Sequence, residues 1–284
     1  PCGHTIKKLC ERAYHVFDEP EYERISKISI SHLYNVRKTT TYIRIRQNYE
    51  KTKFKKSSIG ERRKPNPKGK PGYIRIDTVH QGDQDKKKGV YHINAVDEVT
   101  QFEVICTVEK ISERYLIPIL EQMLQFFPFK VISFHSDNGS EYINRQVAKL
   151  LNKLWIEFTK SRPRHSNDNA LAESKNCSVV RKVLGYQHIP QKYAELVNQF
   201  NQDYLNPHIN YHRPCFFPEI VINDKGKQVK KYPYKSMMTP FDKLKSVENA
   251  ENYLKEGITF EIMDKVAFAI TDKQSAQRLQ KARQ

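Results

Sequence analysis

The sequence predicts an α/β fold, a five-stranded sheet with flanking helices, preceded by an all-α segment. Three observations predict it. From Tyr73 onward, β-branched and aromatic runs alternate with amphipathic stretches: three strands in succession, then helix, strand, helix, strand. Ahead of that point the apolar spacing is that of short helices only. Between the two lies Lys51 to Gly72, too rich in lysine, arginine, proline and glycine for a regular element to be expected. At 284 residues, with 38% hydrophobic residues, 16 tyrosines and 14 phenylalanines, the chain has the means to build a packed core and two or three domains. No apolar run approaches bilayer-spanning length and no secretory signal is visible. Five scattered cysteines, an odd number, suit reduced thiols and a cytoplasmic protein.

The first residue is Pro1 rather than Met, so a chain lacking its true start is expected. Residues 5–17 have helical periodicity, with Ile6, Leu9, Cys10, Ala13 and Phe17 on one face. A second short helix is expected from Glu21 to about Lys27. Ser29 is placed to cap a third, over 30–38, with Leu33 and Val36 inward. Three short helices with a tight turn before the last have the pattern of a helix-turn-helix over 1–50. His32, Tyr34, Asn35, Arg37 and Lys38 would then lie on its outward face, where they can reach DNA. Cys2, His4, Cys10 and His15 have poor spacing for zinc, and Cys10 reads as a core residue.

Charge points to the partner. Of the formal +17, +11 lies in residues 1–72. The 51–71 stretch reads as an extended basic linker in which Lys53, Lys55, Lys56, Arg62, Arg63 and Lys64 track a phosphate backbone.

From Tyr73, strands are expected at 73–79, 89–96 and 101–108, joined by polar turns. A helix begins at Ser112, followed by a strand at 130–135, a helix at 141–151 and a strand at 155–159. Asn167 or Asp168 is placed to cap a helix that carries Glu173 and ends near Gly185. Another helix covers 191–205. Beyond it, Glu219–Ile222 and Lys227–Tyr232 have the pattern of a hairpin, and 239–283 that of short amphipathic helices with basic ends.

Three carboxylates occupy telling positions in this order. Asp77 sits on the first strand, Asp137 at the strand-ending turn Ser136-Asp137-Asn138-Gly139, and Glu173 early in a helix, with 35 residues between the last two. The turn, the basic loop after Lys160 and Asp168-Asn169-Ala170-Leu171-Ala172-Glu173 resemble the catalytic core of retroviral integrases and prokaryotic insertion-sequence transposases, the DDE-type family. The resemblance covers roughly residues 72–215. It implies a ribonuclease-H-like mixed five-stranded sheet, with domains at 72–206 (integrase catalytic core) and 207–284 (hairpin plus helices, for DNA or subunit contacts).

The same resemblance implies that Asp77, Asp137 and Glu173 are catalytic and hold two Mg²⁺ (or Mn²⁺) ions. Hard cations take carboxylate oxygens, and a pair of them suits in-line attack on a phosphodiester. Lys160, Arg162, Arg164 and His165 are then placed for phosphates, and Asn176 matches an asparagine one turn after the family glutamate. The next position, often lysine in the family, is Cys177 here, which leaves Lys175, Arg181 and Lys182 as candidates to grip a DNA end. Asp97 and Asp168 read as bland acids, one in a hairpin turn and one at a helix cap, so that Asp97→Asn is expected to be mild. No nucleotide-binding loop is present. The implied activity is that of a transposase that binds element ends, nicks them and joins 3′-ends to target DNA, acting as at least a dimer with no membrane partner and located with the prokaryotic nucleoid. A ribonuclease-H-like nuclease without joining and a non-catalytic DNA-binding regulator are the alternatives.

Overall fold

The computed structural model describes residues 2–45, 58–137, 141–163, 165–223 and 226–284. Two compact units are present, residues 1–56 and 57–284.

The first unit is helical: α1 (Gly3–His15), α2 (Glu23–Ser26), α3 (Ile30–Val36) and α4 (Thr40–Ile45). Ser29 caps α3 as its position predicts, its hydroxyl accepting from the His32 N–H at 3.1 Å. Cys10 is buried, but Leu9, Phe17 and Val36, expected inside, are exposed. Short helices have too little apolar area to enclose every residue of an apolar stripe. Tyr34 also turns partly inward, its hydroxyl accepting from the Gly3 N–H that begins α1.

In the second unit β1 (Glu61–Arg62), β2 (Tyr73–His80), β5 (Tyr91–Asp97), β6 (Glu103–Val108), β7 (Ser133–Ser136) and β8 (Glu157–Lys160) form a six-stranded mixed sheet in the order β1-β8-β7-β2-β5-β6. A small hairpin of β3 (Asp83–Gln84) and β4 (Lys87–Lys88) stands between β2 and β5. β1, β8, β7 and β2 run parallel, while β2, β5 and β6 are antiparallel. Five of these strands are those expected, and the mixed sheet with helices on it is ribonuclease-H-like. The sixth strand, β1, lies in the stretch expected to be an unstructured linker. Proline and glycine exclude a central strand, but an edge strand needs hydrogen bonds on one side only. Pro65, Pro71 and Gly72 are accordingly buried. Gly72 has φ +103°, and a Cβ there would collide with the Lys130 carbonyl.

Strand alternation divides the sheet into two faces. Ile74, Ile76, Ile93, Ala95, Val104 and Cys106 pack under α5 (Glu113–Phe126) and α6 (Arg145–Lys153) in the main core. The opposite face carries Arg75, Asp77, His92, Asn94, Glu103 and Thr107 among a smaller apolar cluster of Val79, Ile105, Val179, Val180, Leu205 and Ile209. The helix bearing Glu173 covers this face. It comprises α7 (Ala170–Lys175), a π-helical turn (Asn176–Val180) and α8 (Arg181–Leu184). A second interrupted helix follows, α9 (Ala194–Phe200) with π turns at Asn201–Leu205 and His208–His212, so the helical path runs past residue 206. β9 (Cys215–Phe216) pairs with β12 (Met237–Met238), and β10 (Glu219–Ile222) forms the expected hairpin with β11 (Gln228–Lys231). α10 (Pro240–Lys245), α11 (Phe260–Ala267) and α12 (Asp272–Arg283) end the chain. Phe241, Leu244, Met263 and Ala267 belong to the main core, so much of 207–284 serves to complete this unit.

β6 is an edge strand, and its outward backbone is closed by side chains. Asn210 accepts from the Glu103 N–H (2.8 Å) and donates to its carbonyl (2.7 Å). Asn206 does the same at Ile105 (2.9 and 3.1 Å), and Asn198 at Thr107 (2.5 and 2.7 Å). Three amides thus take the place of a seventh strand.

Asp97 is far from bland. It is fully buried and accepts from the backbone N–H groups of Gly72, Tyr73, Val99 and Thr100 and from the Thr100 hydroxyl. It ties the entry of β2 to the β5–β6 turn. Asp168 also differs from expectation: α7 begins after Asn169, with no side-chain cap. The Asp168 carboxylate instead grips Arg162, at 2.8 Å to Nη2 and 2.9 Å to Nε, which holds it well below the usual carboxylate range.

Candidate active site at the carboxylate row

The β2–β7 register places the first two carboxylates. Ile76 pairs with Ser136 in the parallel ladder, so Asp77 and Asp137 are the next residues along the same row. Asp77 lies within β2, and Asp137 follows the last residue of β7. Across this row, α7 packs on β2 and β5 and brings Glu173 over the polar face. Asp77 and Asp137 are half-buried and Glu173 is exposed.

The three are coupled through charge. Burial, together with the negative charges of Asp137 and Glu173, pushes the Asp77 carboxyl up to about 6. Two hydrogen bonds oppose the rise. The Thr78 N–H donates to Oδ1 at 2.8 Å, and Asn176 Nδ2 donates to Oδ2 at 2.7 Å. Asn176 is itself oriented by Asn94, whose Nδ2 donates to its Oδ1 at 2.9 Å. A fourth carboxylate, Glu141, is raised by burial and by Asp137. Beneath it the buried Tyr142 hydroxyl meets Thr78 Oγ1 at 2.5 Å. Asn94, Thr78, Glu141 and Tyr142 were not singled out from sequence. Glu141, four residues after Asp137, is the one whose position offered a signal.

Among the described residues, no three of His, Cys, Asp or Glu converge closely enough to grip an ion. The donor set nevertheless suits a hard divalent cation. Asp77 is strained by its own kind, and a positive charge among these carboxylates would relieve it.

The cations expected to hold DNA divide sharply. His32, Asn35 and Lys38 are exposed, whereas Arg37 stacks over Tyr34 at 5.6 Å. Lys53, Lys55, Lys56 and Arg164 lie outside the described residues, as does the turn 138–140. Arg62 is half-buried in β1, and Arg63 is ion-paired with Glu61 and Glu157. Lys64 and His165 are exposed.

Four expected DNA contacts are turned inward. Lys160 is buried and donates to the Ile59 carbonyl, because β1 covers the strand end where an open loop was expected. Lys175 pairs at 3.6 Å with the buried Glu103. Asn176 serves Asp77. Arg181 donates to the His80 carbonyl (2.9 Å) and Gln81 Oε1 (3.1 Å), fastening the end of the Glu173 helix to β2. Arg162 has its Asp168 partner but keeps an exposed edge.

Residues 67–166 match the family model described as Integrase core domain. The chain is 31% identical over 117 residues to the uncharacterized protein y4rM of Sinorhizobium fredii (strain NBRC 101917 / NGR234), an alignment covering 41% of this chain. The chain matches 33% of that relative's length. Among solved structures it is similar to the HTLV-2 integrase catalytic core domain in complex with magnesium, at 15% identity and TM-score 0.39, covering 56% of this chain and 93% of that one. It is also similar to the simian T-cell lymphotropic virus intasome in complex with PP2A regulatory subunit B56 gamma, at 14% identity and TM-score 0.39, covering 77% and 72%.

Proposed function

We propose that this chain is a DNA strand transferase of the transposase type, which binds element ends, nicks them and joins the 3′-ends to target DNA. The observation that carries the reading is the register: Asp77 and Asp137 continue one row on adjacent parallel strands, with Glu173 brought over it by a helix fastened at its far end. Asp77 and Asp137, half-buried, with the exposed Glu173 beside them, form a donor set for Mg²⁺ or Mn²⁺. Such ions, when bound, would activate an attacking oxygen and stabilise a leaving one in phosphodiester exchange.

The chain's own residues do the positioning. Asn94 orients Asn176, and Asn176 and the Thr78 N–H hold the two oxygens of Asp77 in a single pose. Arg181 and Gln81 keep the glutamate helix seated on β2. Gln81 Nε2 caps the helix end by donating to the carbonyls of Leu184, Gly185 and Gln187. Residues 1–50 supply sequence preference and the basic stretch 51–71 non-specific affinity, and at least two chains act together on two ends.

The test is joining of labelled oligonucleotide ends to a target duplex with Mg²⁺ supplied. Asp77→Asn, Asp137→Asn and Glu173→Gln are each expected to abolish nicking and joining while the circular dichroism spectrum is unchanged. Robust joining by the Asp137 variant would sink the assignment. Nicking without joining by the unsubstituted chain would make it a nuclease.

A further inference from the structure

The helix that carries Glu173 has a second working side. Behind it opens a cleft of about 760 Å³, walled by α7, the strand ends bearing Arg75 and Glu103, and the β9–β11 region. Its cations are Lys64, Arg75, Lys175, Lys182, Arg213 and Lys230, against the acids Glu98 and Glu103. Both acids are already matched: Arg75 Nη2 lies 2.6 Å from Glu98, and Lys175 Nζ lies 3.6 Å from Glu103. Four positive charges remain. Lys64, Lys182 and Lys230 are exposed and form no ion pair among the described residues, and Arg213 commits one nitrogen to the Ser178 carbonyl at 3.0 Å.

The deep wall of the cleft holds a polar group still without a hydrogen-bond partner. Arg75 Nη1 is a buried donor with none, in a residue 3% exposed. Buried groups of this kind are costly unless something fills their bonds. Two aromatic rings, Phe216 and Tyr232, stand exposed on the cleft lining. Surplus positive charge matches a phosphodiester backbone, exposed rings match base faces, and an unfilled buried donor matches an acceptor on a base edge.

We propose that this cleft binds an unpaired DNA strand, its phosphates on Lys64, Lys182, Arg213 and Lys230 and its bases on Phe216 and Tyr232. The inference rests on DNA being the partner, but not on the carboxylates acting. A strand held on the back of α7 would be kept apart from one lying at Asp77 and Asp137, so that a frayed end and the strand being joined have separate tracks.

The experiment uses the full chain in chelator, with fluorescently labelled single-stranded and duplex oligonucleotides in an anisotropy titration. The variant Lys64→Ala/Lys182→Ala/Lys230→Ala is expected to bind the single strand at least tenfold more weakly. Its slope of log affinity against log salt is expected to be shallower by about 2, from roughly 0.7 per lost phosphate contact. Tyr232→Ala is expected to weaken the single strand about tenfold while leaving the duplex unchanged. An iodouracil-substituted strand is expected to crosslink at Phe216 or Tyr232. Unchanged affinity and slope in the triple variant, equal loss for duplex and single strand in Tyr232→Ala, or crosslinks confined to residues outside the cleft would each overturn the proposal. Because no divalent ion is present, these results are independent of joining. Binding here by a chain that never joins ends would leave the cleft standing and remove the transferase reading.

Discussion

Asp77 is where residue-level chemistry is sharpest. Its carboxyl, pushed up to about 6 by burial and by Asp137 and Glu173, holds a proton more tightly in the folded chain than in the unfolded one. The stability this confers is therefore complete below the ordinary carboxylate range and is lost as pH rises through about 6. A divalent ion restores it by taking the proton's place, so Mg²⁺ is expected to raise the melting temperature at pH 7.5 and scarcely at pH 5. Asp77→Asn, which sets an amide nitrogen against the donor from Thr78 or Asn176, is expected to abolish the Mg²⁺-induced rise. A variant that kept the full Mg²⁺ response would show that the ion binds elsewhere. Burial pushes the Asp97 carboxyl up to about 6 as well, but hydrogen-bond donors rather than neighbouring carboxylates surround it. Exchanging one oxygen for an amide nitrogen sets a donor against donors, and Asp97→Asn is expected to cost about 3 kcal/mol in urea unfolding. From sequence the three carboxylates stood out because each sits at a recognisable strand, turn or helix start. Asp97 was not, since its five donors come from segments that meet only in the folded chain.

At the scale of elements, the asparagine ladder depends on helices that are not regular. In an α-helix, eight residues at about 100° each leave Asn206 some 80° off the face of Asn198. The π turn at 201–205, at roughly 4.4 residues per turn, winds back most of that difference and brings the two amides onto one side. Pro207 marks the break from sequence, because it cannot donate to the carbonyl four residues back. Deleting Gln202, an exposed residue of the π turn, is expected to restore an α turn and swing Asn206 and Asn210 off β6, with cooperative unfolding lost or its midpoint sharply lowered. Asn206→Ala, which leaves one N–H and one carbonyl of Ile105 unmet, is expected to cost about 2 kcal/mol by the same measurement. Equal stability of both variants with the parent would mean that water serves the edge as well as the amides do. The strands and helices here were readable from periodicity. The π turns were not, because each interrupts the helical repeat for a single turn, too short a stretch to show as a change of period.

For the whole molecule, the boundary between the units decides how assembly is tested. The basic stretch looked like a linker up to residue 71, yet β1, Pro65 and Pro71 belong to the folded second unit. A chain beginning at Ser57 is expected to fold and one beginning at Gly72 to be destabilised, compared by thermal unfolding. Action in trans is then tested by mixing Glu173→Gln with a chain beginning at Ser57. Recovered joining by the mixture, with neither active alone, supports two cooperating subunits, and no recovery over a range of ratios counts against them. A charge-driven association with DNA, as proposed, would be sensitive to ionic strength. The six bonds of the asparagine ladder join uncharged amides to uncharged backbone, so neither salt nor protons bear on them directly. Conditions that would strip a bound nucleic acid away therefore leave the helix over β6 in place, and a partner could be released without loosening the sheet that aligns the three carboxylates.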